Sequence, residues 1–119
     1  MISLVEQKFG SSQCGQCCLA MVTGHSVSTV ITNLGKWRST TPEDLCEYIK
    51  EHEMVWSDIV EHKFQPFDTV PNRSIIYFEY PKSGGHFIVK YNDEYYDPLG
   101  RISRYVSDKN NKVISYITF

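Results

Sequence analysis

Three residue types that act together in nucleophilic catalysis occur in this chain: a cysteine, a histidine and an aspartate. Cys14 follows a polar Ser-Ser-Gln turn and begins an apolar run. If that run is a helix, the Cys14 thiol lies at the helix N-terminus, where the dipole and unsatisfied N–H groups favour a thiolate. His86 and Asp97 come much later in the chain. A cysteine nucleophile needs such a pair, because the histidine moves the proton and the carboxylate orients the imidazole.

Attack on a carbonyl carbon creates an oxyanion, so the site also needs hydrogen-bond donors for that oxygen. The candidate donors are the backbone N–H of Cys14 and the side-chain amide of an upstream glutamine. Gln7 is the first candidate, and Gln13 is the alternative nearer in sequence. The expected catalytic set is therefore Gln7, Cys14, His86 and Asp97, in that order along the chain.

The register of one predicted hairpin brings the histidine and the aspartate together. Asn92-Asp93 can form a two-residue turn between two short strands. If Tyr91 pairs with Glu94, His86 and Asp97 share a face of the sheet, one diagonal step apart. Their backbone positions are then roughly 7–8 Å apart, a separation that a side-chain hydrogen bond can span.

Helical periodicity is confined to the first half of the chain. A first helix is predicted from about Cys14 to Thr23, with Ser11 or Ser12 as N-cap and Gly24 after its C-terminus. Its cysteines and apolar residues recur at helical spacing, which predicts one buried stripe. The stripe consists of Cys14, Cys17, Cys18, Met21 and Val22.

Two more helices are predicted after this one. An apolar stripe indicates a helix over residues 26–34, ended by Gly35. Thr41-Pro42-Glu43-Asp44 is a strong helix start, with threonine as N-cap, proline at the first helical position and acids in the first turn. That helix should run to about His52.

The hydrophobic period changes to two from about residue 55, which predicts strands in the second half. Helices followed by strands favour a single α+β domain over residues 1–119, with a mostly antiparallel sheet. Loops are expected at 36–41 and 61–72. The predicted strands are 55–60, 74–80, 86–91, 94–97, 102–106 and 113–119.

Composition argues against several classes of protein. The 119 residues carry a formal net charge of −2, and no basic run exceeds two residues, so charge does not suggest nucleic-acid or anionic-membrane binding. No apolar stretch approaches ~18 residues, and we expect no membrane span and no signal peptide. The four cysteines are then expected to stay reduced, and a cytoplasmic location follows, in a bacterium or in a host cell if the gene is viral. No cofactor or metal is expected.

Three stretches resemble one known family. Residues 14–22, Cys-Gly-Gln-Cys-Cys-Leu-Ala-Met-Val, resemble the nucleophile segment of papain-like bacterial peptidases. The similarity is greatest to the double-glycine-leader peptidases that process bacteriocins, which are often N-terminal domains of ABC exporters. Residues 84–89, Gly-Gly-His-Phe-Ile-Val, and residues 97–100, Asp-Pro-Leu-Gly, resemble later motifs of that family. The helix at 41–52 has a counterpart there, so the resemblance covers residues 7–100.

The resemblance implies a papain-like fold and a cysteine peptidase with a protein or peptide as substrate. It implies Cys14 as nucleophile, His86 as base and acid, and Asp97 as the residue that orients His86. The family's oxyanion glutamine stands six positions before the cysteine, whereas Gln7 stands seven before it. The histidine-to-aspartate separation is also shorter than usual, which a tight hairpin explains. We expect no transporter domain to follow, so an export role is not implied.

Other functions fit parts of the pattern. A deamidase or transglutaminase-like enzyme would use the same residues on glutamine side chains, and an inactive papain-fold module would only bind a peptide. Cys14-x-x-Cys17 resembles a thioredoxin-type redox motif, although the polar stretch before it does not resemble the expected strand. Cys14, Cys17 and Cys46 with a histidine could hold zinc, but no second ligand pair of suitable spacing completes that site. The oligomeric state is left open.

The remaining histidines and the tryptophans are interpreted as structural residues. His25, His52 and His62 are interpreted as surface or capping residues. Trp37 and Trp56 are interpreted as core or loop anchors and not as recognition residues. Gly84-Gly85 is interpreted as a flexible turn before the strand that carries the histidine.

Overall fold

The computed structural model describes residues 2–8, 11–52, 60–80, 84–103 and 112–119. These residues form an α+β structure in which three helices pack on an antiparallel sheet, as the order of the periodicities predicts. Within the described part, the sheet has six strands in the order β1-β6-β2-β3-β4-β5. The helices are α1 (Cys14–Thr23), α2 (Val27–Leu34) and α3 (Pro42–Glu51). The strands are β1 (Val60–Gln65), β2 (Ser74–Tyr80), β3 (Gly84–Tyr91), β4 (Glu94–Asp97), β5 (Arg101–Ser103) and β6 (Lys112–Thr118).

Local signals determine most helix ends. Gly24 and Gly35 follow α1 and α2 in the left-handed conformation, with φ of 78° and 70°, which glycine adopts without steric cost. Thr41 and Asp44 form the capping box that their spacing predicts. The Asp44 N–H donates to Thr41 Oγ1 at 3.2 Å, and the Thr41 N–H donates to Asp44 Oδ2 at 2.9 Å. The predictions for these ends are confirmed.

The start of α1 differs from the expectation. Neither Ser11 nor Ser12 is the N-cap, so that prediction was wrong. Gln13 occupies the position, and its side chain makes no capping hydrogen bond. The amide instead donates to the Trp37 carbonyl at 3.1 Å. The Gln13 side chain thus contacts the loop at Trp37 and does not cap the N–H groups of its own helix.

A larger part of helix α1 is buried than the single stripe that its sequence predicts. All residues from Gly15 to Met21 are buried, because the helix packs against β3 on one side and against α2 and α3 on others. The buried set includes the polar Gln16, which is 0% exposed. The helix is thus the central element of its layer, and its N-terminus is the end where Cys14 remains partly accessible.

The β3–β4 hairpin has the predicted register. Tyr91 pairs with Glu94, and the two-residue turn has φ of 53° at Asn92 and 64° at Asp93. Two positive φ angles define the type I′ turn, which matches the twist of the flanking strands and favours Asn and Asp. The turn chemistry therefore fixes which face of the sheet each β3 residue occupies.

The region between α3 and β2 contains a misassigned strand. The predicted strand 55–60 falls mostly on residues 53–59, which are outside the described part. Val60–Gln65 is a strand, although a loop was expected from residue 61 to residue 72, and Phe67–Thr69 is a short 3-10 turn. Among the described strands, β1 lies at the sheet edge and pairs only with β6. An edge strand tolerates a polar sequence without clear alternation. The predicted strand 102–106 corresponds to Arg101–Ser103, and residues 104–111 are not described.

Both faces of the sheet are covered. The helices pack on one face, where Leu19, Leu45 and Ile49 are fully buried among strand residues. On the other face, Phe67 of the 3-10 turn packs against Phe78 and other strand side chains. The buried Lys90 anchors that turn to the sheet, because its Nζ donates a hydrogen bond to the Val70 carbonyl at 2.6 Å.

The N-terminal segment, residues 2–8, joins this structure at the β4 end of the hairpin. The Gln7 N–H donates to the Pro98 carbonyl at 2.8 Å, and Ile2 is buried in the helix-side core. This docking holds Gln7 at a fixed place relative to Asp97, which precedes Pro98 in the chain.

Among the described residues, no single helix is long and apolar enough to cross a membrane. Helices α1 and α2 together meet the criteria of length and composition, but they are bent by 110° at the break between them.

Candidate active site

One cavity of about 490 Å³ is lined by four separate stretches of the chain, within residues 7–14, 39–40, 77 and 85–87. Cys14 comes from the start of α1, His86 from β3 and Gln7 from the N-terminal segment. The structure thus brings together three of the four predicted site residues around one space, and the fourth, Asp97, lies behind His86. The other residues that line the cavity are Ser11, Ser12, Ser39, Thr40, Tyr77, Gly85 and Phe87.

The histidine and the aspartate form a buried pair. His86 Nε2 lies 2.7 Å from Asp97 Oδ1, and the two residues are 6% and 0% exposed. The Leu99 N–H donates to the same carboxylate oxygen at 2.9 Å. The hydrogen bond expected from the hairpin register is confirmed, and the backbone after β4 fixes the carboxylate that makes it.

The charge state of His86 follows from its neighbours. Burial disfavours the charged ring and lowers its pKa, but hydrogen bonds to Asp97 and to Cys14, with the negative charges of both, raise the pKa to about 9. His86 is therefore an imidazolium at neutral pH. The Phe78 ring packs edge-on against it at 5.7 Å between centroids, which limits its rotation.

The geometry assigns one of the two ring nitrogens of His86. Nε2 is directed at Asp97, which leaves Nδ1 available to Cys14, a residue that lines the same cavity and raises the pKa of His86. In such an arrangement the imidazole can transfer a proton between the sulfur and a substrate atom, and the carboxylate orients the ring.

The other cysteines are poor candidates for chemistry. Cys17 and Cys18 are 0% exposed and Cys46 is 8% exposed, and the expectation that Cys17 and Cys18 pack inside the protein is confirmed. Burial, with the added charge of Cys14, raises the pKa of the Cys17 thiol to about 11 and that of Cys18 well above its usual value. A thiol that ionises so reluctantly does not support the redox interpretation of Cys14-x-x-Cys17.

The zinc interpretation finds no support in the described part of the chain. No group of three or more His, Cys, Asp or Glu side chains there is placed to hold a metal ion. All four cysteines are free thiols.

Gln7, and not Gln13, is at the cavity. Its Nε2 donates to the Ser11 carbonyl at 2.7 Å, which uses one of the two amide hydrogens. Gln13 lies outside this cavity, with its amide on the Trp37 carbonyl. The one-residue difference in spacing therefore does not keep Gln7 away from Cys14.

Two glycines adjoin Cys14 and His86, and each lies close against a neighbouring side chain. A Cβ on Gly15 would lie 1.9 Å from Thr40 Oγ1, and a Cβ on Gly85 would lie 2.2 Å from Tyr77 Oη. Gly85 is part of β3 and not of a flexible turn, which corrects the earlier interpretation. Both glycines let a cavity-lining side chain approach the backbone beside a candidate catalytic residue.

The cavity wall holds polar atoms that lack partners among the described residues. Gln7 Oε1, Ser11 Oγ and Thr40 Oγ1 are buried and accept or donate no hydrogen bond there. Such atoms are rare in folded proteins and often mark places where water or a ligand binds. Their concentration at this cavity is typical of a binding site for a polar group.

No protein-family model matches this sequence. No curated protein matches it either. A function for this chain is therefore inferred from the geometry of the site.

Tyr77 is a site residue that sequence reasoning missed. It lies over Gly85 and lines the cavity. Burial raises the pKa of its hydroxyl, and the negative charges of Glu79 and Cys14 raise it further. Its position depends on the β2–β3 register, which pairs Tyr77 with Phe87, and no local sequence signal specifies that pairing.

Proposed function

We propose that this chain is a papain-like thiol hydrolase that cleaves a peptide or isopeptide bond through a thioester intermediate. The observation that carries the proposal is the buried His86–Asp97 pair at the cavity that Cys14 also lines, with Cys14 at the N-terminus of α1. A module that only binds a peptide does not use a histidine–carboxylate pair beside a cysteine. A thiol hydrolase uses all three groups to activate the sulfur and to protonate the leaving group.

In the first half of the reaction, the Cys14 thiolate attacks the carbonyl carbon and a carbon–sulfur bond forms. The carbonyl electron pair moves to oxygen and gives a tetrahedral oxyanion. The His86 imidazolium then gives its proton to the leaving nitrogen, the carbon–nitrogen bond breaks, and the amine departs. Asp97 keeps the ring oriented and stabilises its charged form.

In the second half, neutral His86 accepts a proton from water as the water oxygen attacks the thioester. A second tetrahedral oxyanion forms and collapses, the carbon–sulfur bond breaks, and the carboxylic acid product leaves. Cys14 and His86 return to the thiolate–imidazolium pair. No cofactor is required for either half.

The oxyanion would be held by two donors. One is the backbone N–H of Cys14, because the first N–H groups of a helix have no acceptor within the helix. The other is the second amide hydrogen of Gln7, whose first hydrogen is held by Ser11. Removal of one such donor typically costs about 10²–10³ in kcat.

The proposal is tested first by alkylation with iodoacetamide at pH 7, with the labelled peptide identified by mass spectrometry. We expect one equivalent at Cys14, about tenfold or more faster than free cysteine, because free cysteine is only a few per cent thiolate at that pH. The advantage should be lost in His86→Ala. Cys17, Cys18 and Cys46 serve as internal controls, since they are buried.

Cleavage is tested by incubating a library of peptides with the protein and with Cys14→Ala. New termini that depend on Cys14 support a peptidase, whereas glutamine converted to glutamate without cleavage would favour the deamidase. Cys14 labelling no faster than free cysteine, with His86 intact, would refute the nucleophile assignment.

A further inference from the structure

An aromatic–cation pair stands on the loop between α2 and α3, beside the catalytic cavity. Trp37 is 59% exposed, so of the two interpretations of this residue, core or loop anchor, the core one was wrong. The Arg38 guanidinium carbon lies 4.4 Å from the centre of the Trp37 ring. Stacking of this kind contributes about 0.5–1 kcal/mol at exposed sites and gives the guanidinium a preferred orientation.

Glutamine side chains of α1 fix this loop to the helix that carries Cys14. Gln13 Nε2 donates to the Trp37 carbonyl at 3.1 Å. Gln16 Nε2 donates to the carbonyls of Lys36 and Arg38 at 3.2 and 2.6 Å, and Gln16 itself is fully buried. The loop backbone is therefore held at a defined position relative to the nucleophile.

The surface around the pair adjoins the catalytic cavity. Trp37 and Arg38 line two further cavities, of about 280 and 390 Å³. The first shares Ser39 with the catalytic cavity, and the second shares Ser11 and Ser12 with it. A bound chain that reaches Cys14 can thus extend along the loop.

The described residues give this surface charge of one sign. Lys36 is neutralised by Asp44 at 2.8 Å, whereas Arg38 has no acidic partner among the residues that the structure describes. None of the described residues that line the three cavities is Asp or Glu. A planar guanidinium with unengaged N–H groups is suited to bind a carboxylate through two parallel hydrogen bonds.

We infer that Trp37 and Arg38 form a substrate subsite that binds a carboxylate of the peptide whose bond Cys14 attacks. The inference rests on the proposed function and adds the chemical class of the substrate. The carboxylate can belong to an Asp or Glu side chain or to a peptide C-terminus, and both present the same group to Arg38.

Three iodoacetyl compounds test the subsite and distinguish the two sources. Iodoacetyl-glutamate α-amide carries a side-chain carboxylate, iodoacetyl-glutamine with a free C-terminus carries a terminal one, and iodoacetyl-glutamine α-amide is neutral. The rate of Cys14 alkylation is measured for each. At least one acidic compound should react about tenfold faster than the neutral one, because a charge-assisted hydrogen bond between its carboxylate and Arg38 contributes enough binding free energy for that difference.

Matched variants assign the effect to the loop. The rate advantage should disappear in Arg38→Gln and persist in Lys50→Gln, which removes the same charge from α3. Trp37→Ala should reduce the advantage and Trp37→Phe should retain it, because phenylalanine preserves a ring for stacking.

Equal rates for all three compounds, or an advantage unchanged in Arg38→Gln, would overturn the subsite. The neutral compound separates this failure from that of the proposed function. If it alkylates Cys14 no faster than free cysteine, the nucleophile assignment fails; if it reacts fast but without preference for acid, only the subsite fails.

Discussion

Replacement of Asp97 by asparagine should lower the pKa of His86 and leave the ring in place. Asp97 Oδ1 accepts hydrogen bonds from His86 Nε2 at 2.7 Å and from the Leu99 N–H at 2.9 Å. The amide oxygen of asparagine can accept both bonds with the same geometry. The substitution therefore removes the negative charge while preserving the acceptor.

The magnitude follows from the opposing contributions at His86. Its pKa is about 9 against an ordinary 6.5, a difference that corresponds to about 3 kcal/mol at about 1.4 kcal/mol per pH unit. The hydrogen bond to Asp97 is the largest contribution that raises the pKa, and burial opposes it. In Asp97→Asn, we expect the pKa to fall by about one unit or more, as removal of an adjacent opposite charge typically does.

The same shift predicts how stability depends on pH. The folded-state pKa of His86 is raised, so its charged form stabilises the folded protein. This contribution is complete below about pH 6.5 and is lost as the pH rises through about 9. The free energy of unfolding of the native protein should therefore decrease over that range, and less steeply in Asp97→Asn.

The assay is a titration of the histidine ring ¹⁵N shifts by NMR, with the His86 signal assigned from His86→Asn. Asp93→Asn is the matched control, because it removes a carboxylate from the exposed turn of the same hairpin. It should leave the His86 titration unchanged. The reasoning is refuted if Asp97→Asn leaves the midpoint in place, or if Asp93→Asn shifts it equally.

Three further predictions concern the surroundings of the site. Gln7→Ala should slow peptide cleavage about 10²-fold without changing the iodoacetamide rate, and an equal loss in both assays would contradict its oxyanion role. Gly15→Ala should destabilise the protein to urea by about 1–3 kcal/mol, because the added Cβ meets Thr40 Oγ1 at 1.9 Å; Thr40→Ala should recover part of that loss, and no recovery would count against the clash. Lys90→Met should cost about 1–3 kcal/mol in the same assay, since three backbone carbonyls lose a buried donor, and unchanged stability would argue against this anchoring role.

Features encoded by adjacent residues could be predicted from the sequence. The capping box at Thr41 and Asp44 and the glycines that end α1 and α2 specify helix ends through their own hydrogen bonds and φ angles. The Asn92-Asp93 turn specifies the β3–β4 register in the same way. Because that register decides which side chains share a face, the His86–Asp97 hydrogen bond could also be predicted.

Features that depend on distant contacts could not be predicted. The N-cap of α1 was misassigned because Gln13 interacts with the Trp37 carbonyl and not with its own helix. Strand β1 was missed because its polar sequence gains strand structure only by pairing with β6. Tyr77 was missed because it reaches the site through the pairing of β2 with β3. In each case the missing information is a tertiary contact that no local pattern encodes.

The walls of the candidate site are hydrogen-bonded to two elements, α1 and the β3–β4 hairpin. Local sequence signals predict the position of both elements in the chain. The Gln7 N–H is bonded to Pro98, at the end of that hairpin. The loop that carries Trp37 is bonded to α1 through Gln16. Cys14 and His86 belong to α1 and β3 themselves, so the relative position of the two elements decides whether the site is assembled. Their packing against each other is therefore the tertiary contact on which the proposed chemistry depends most.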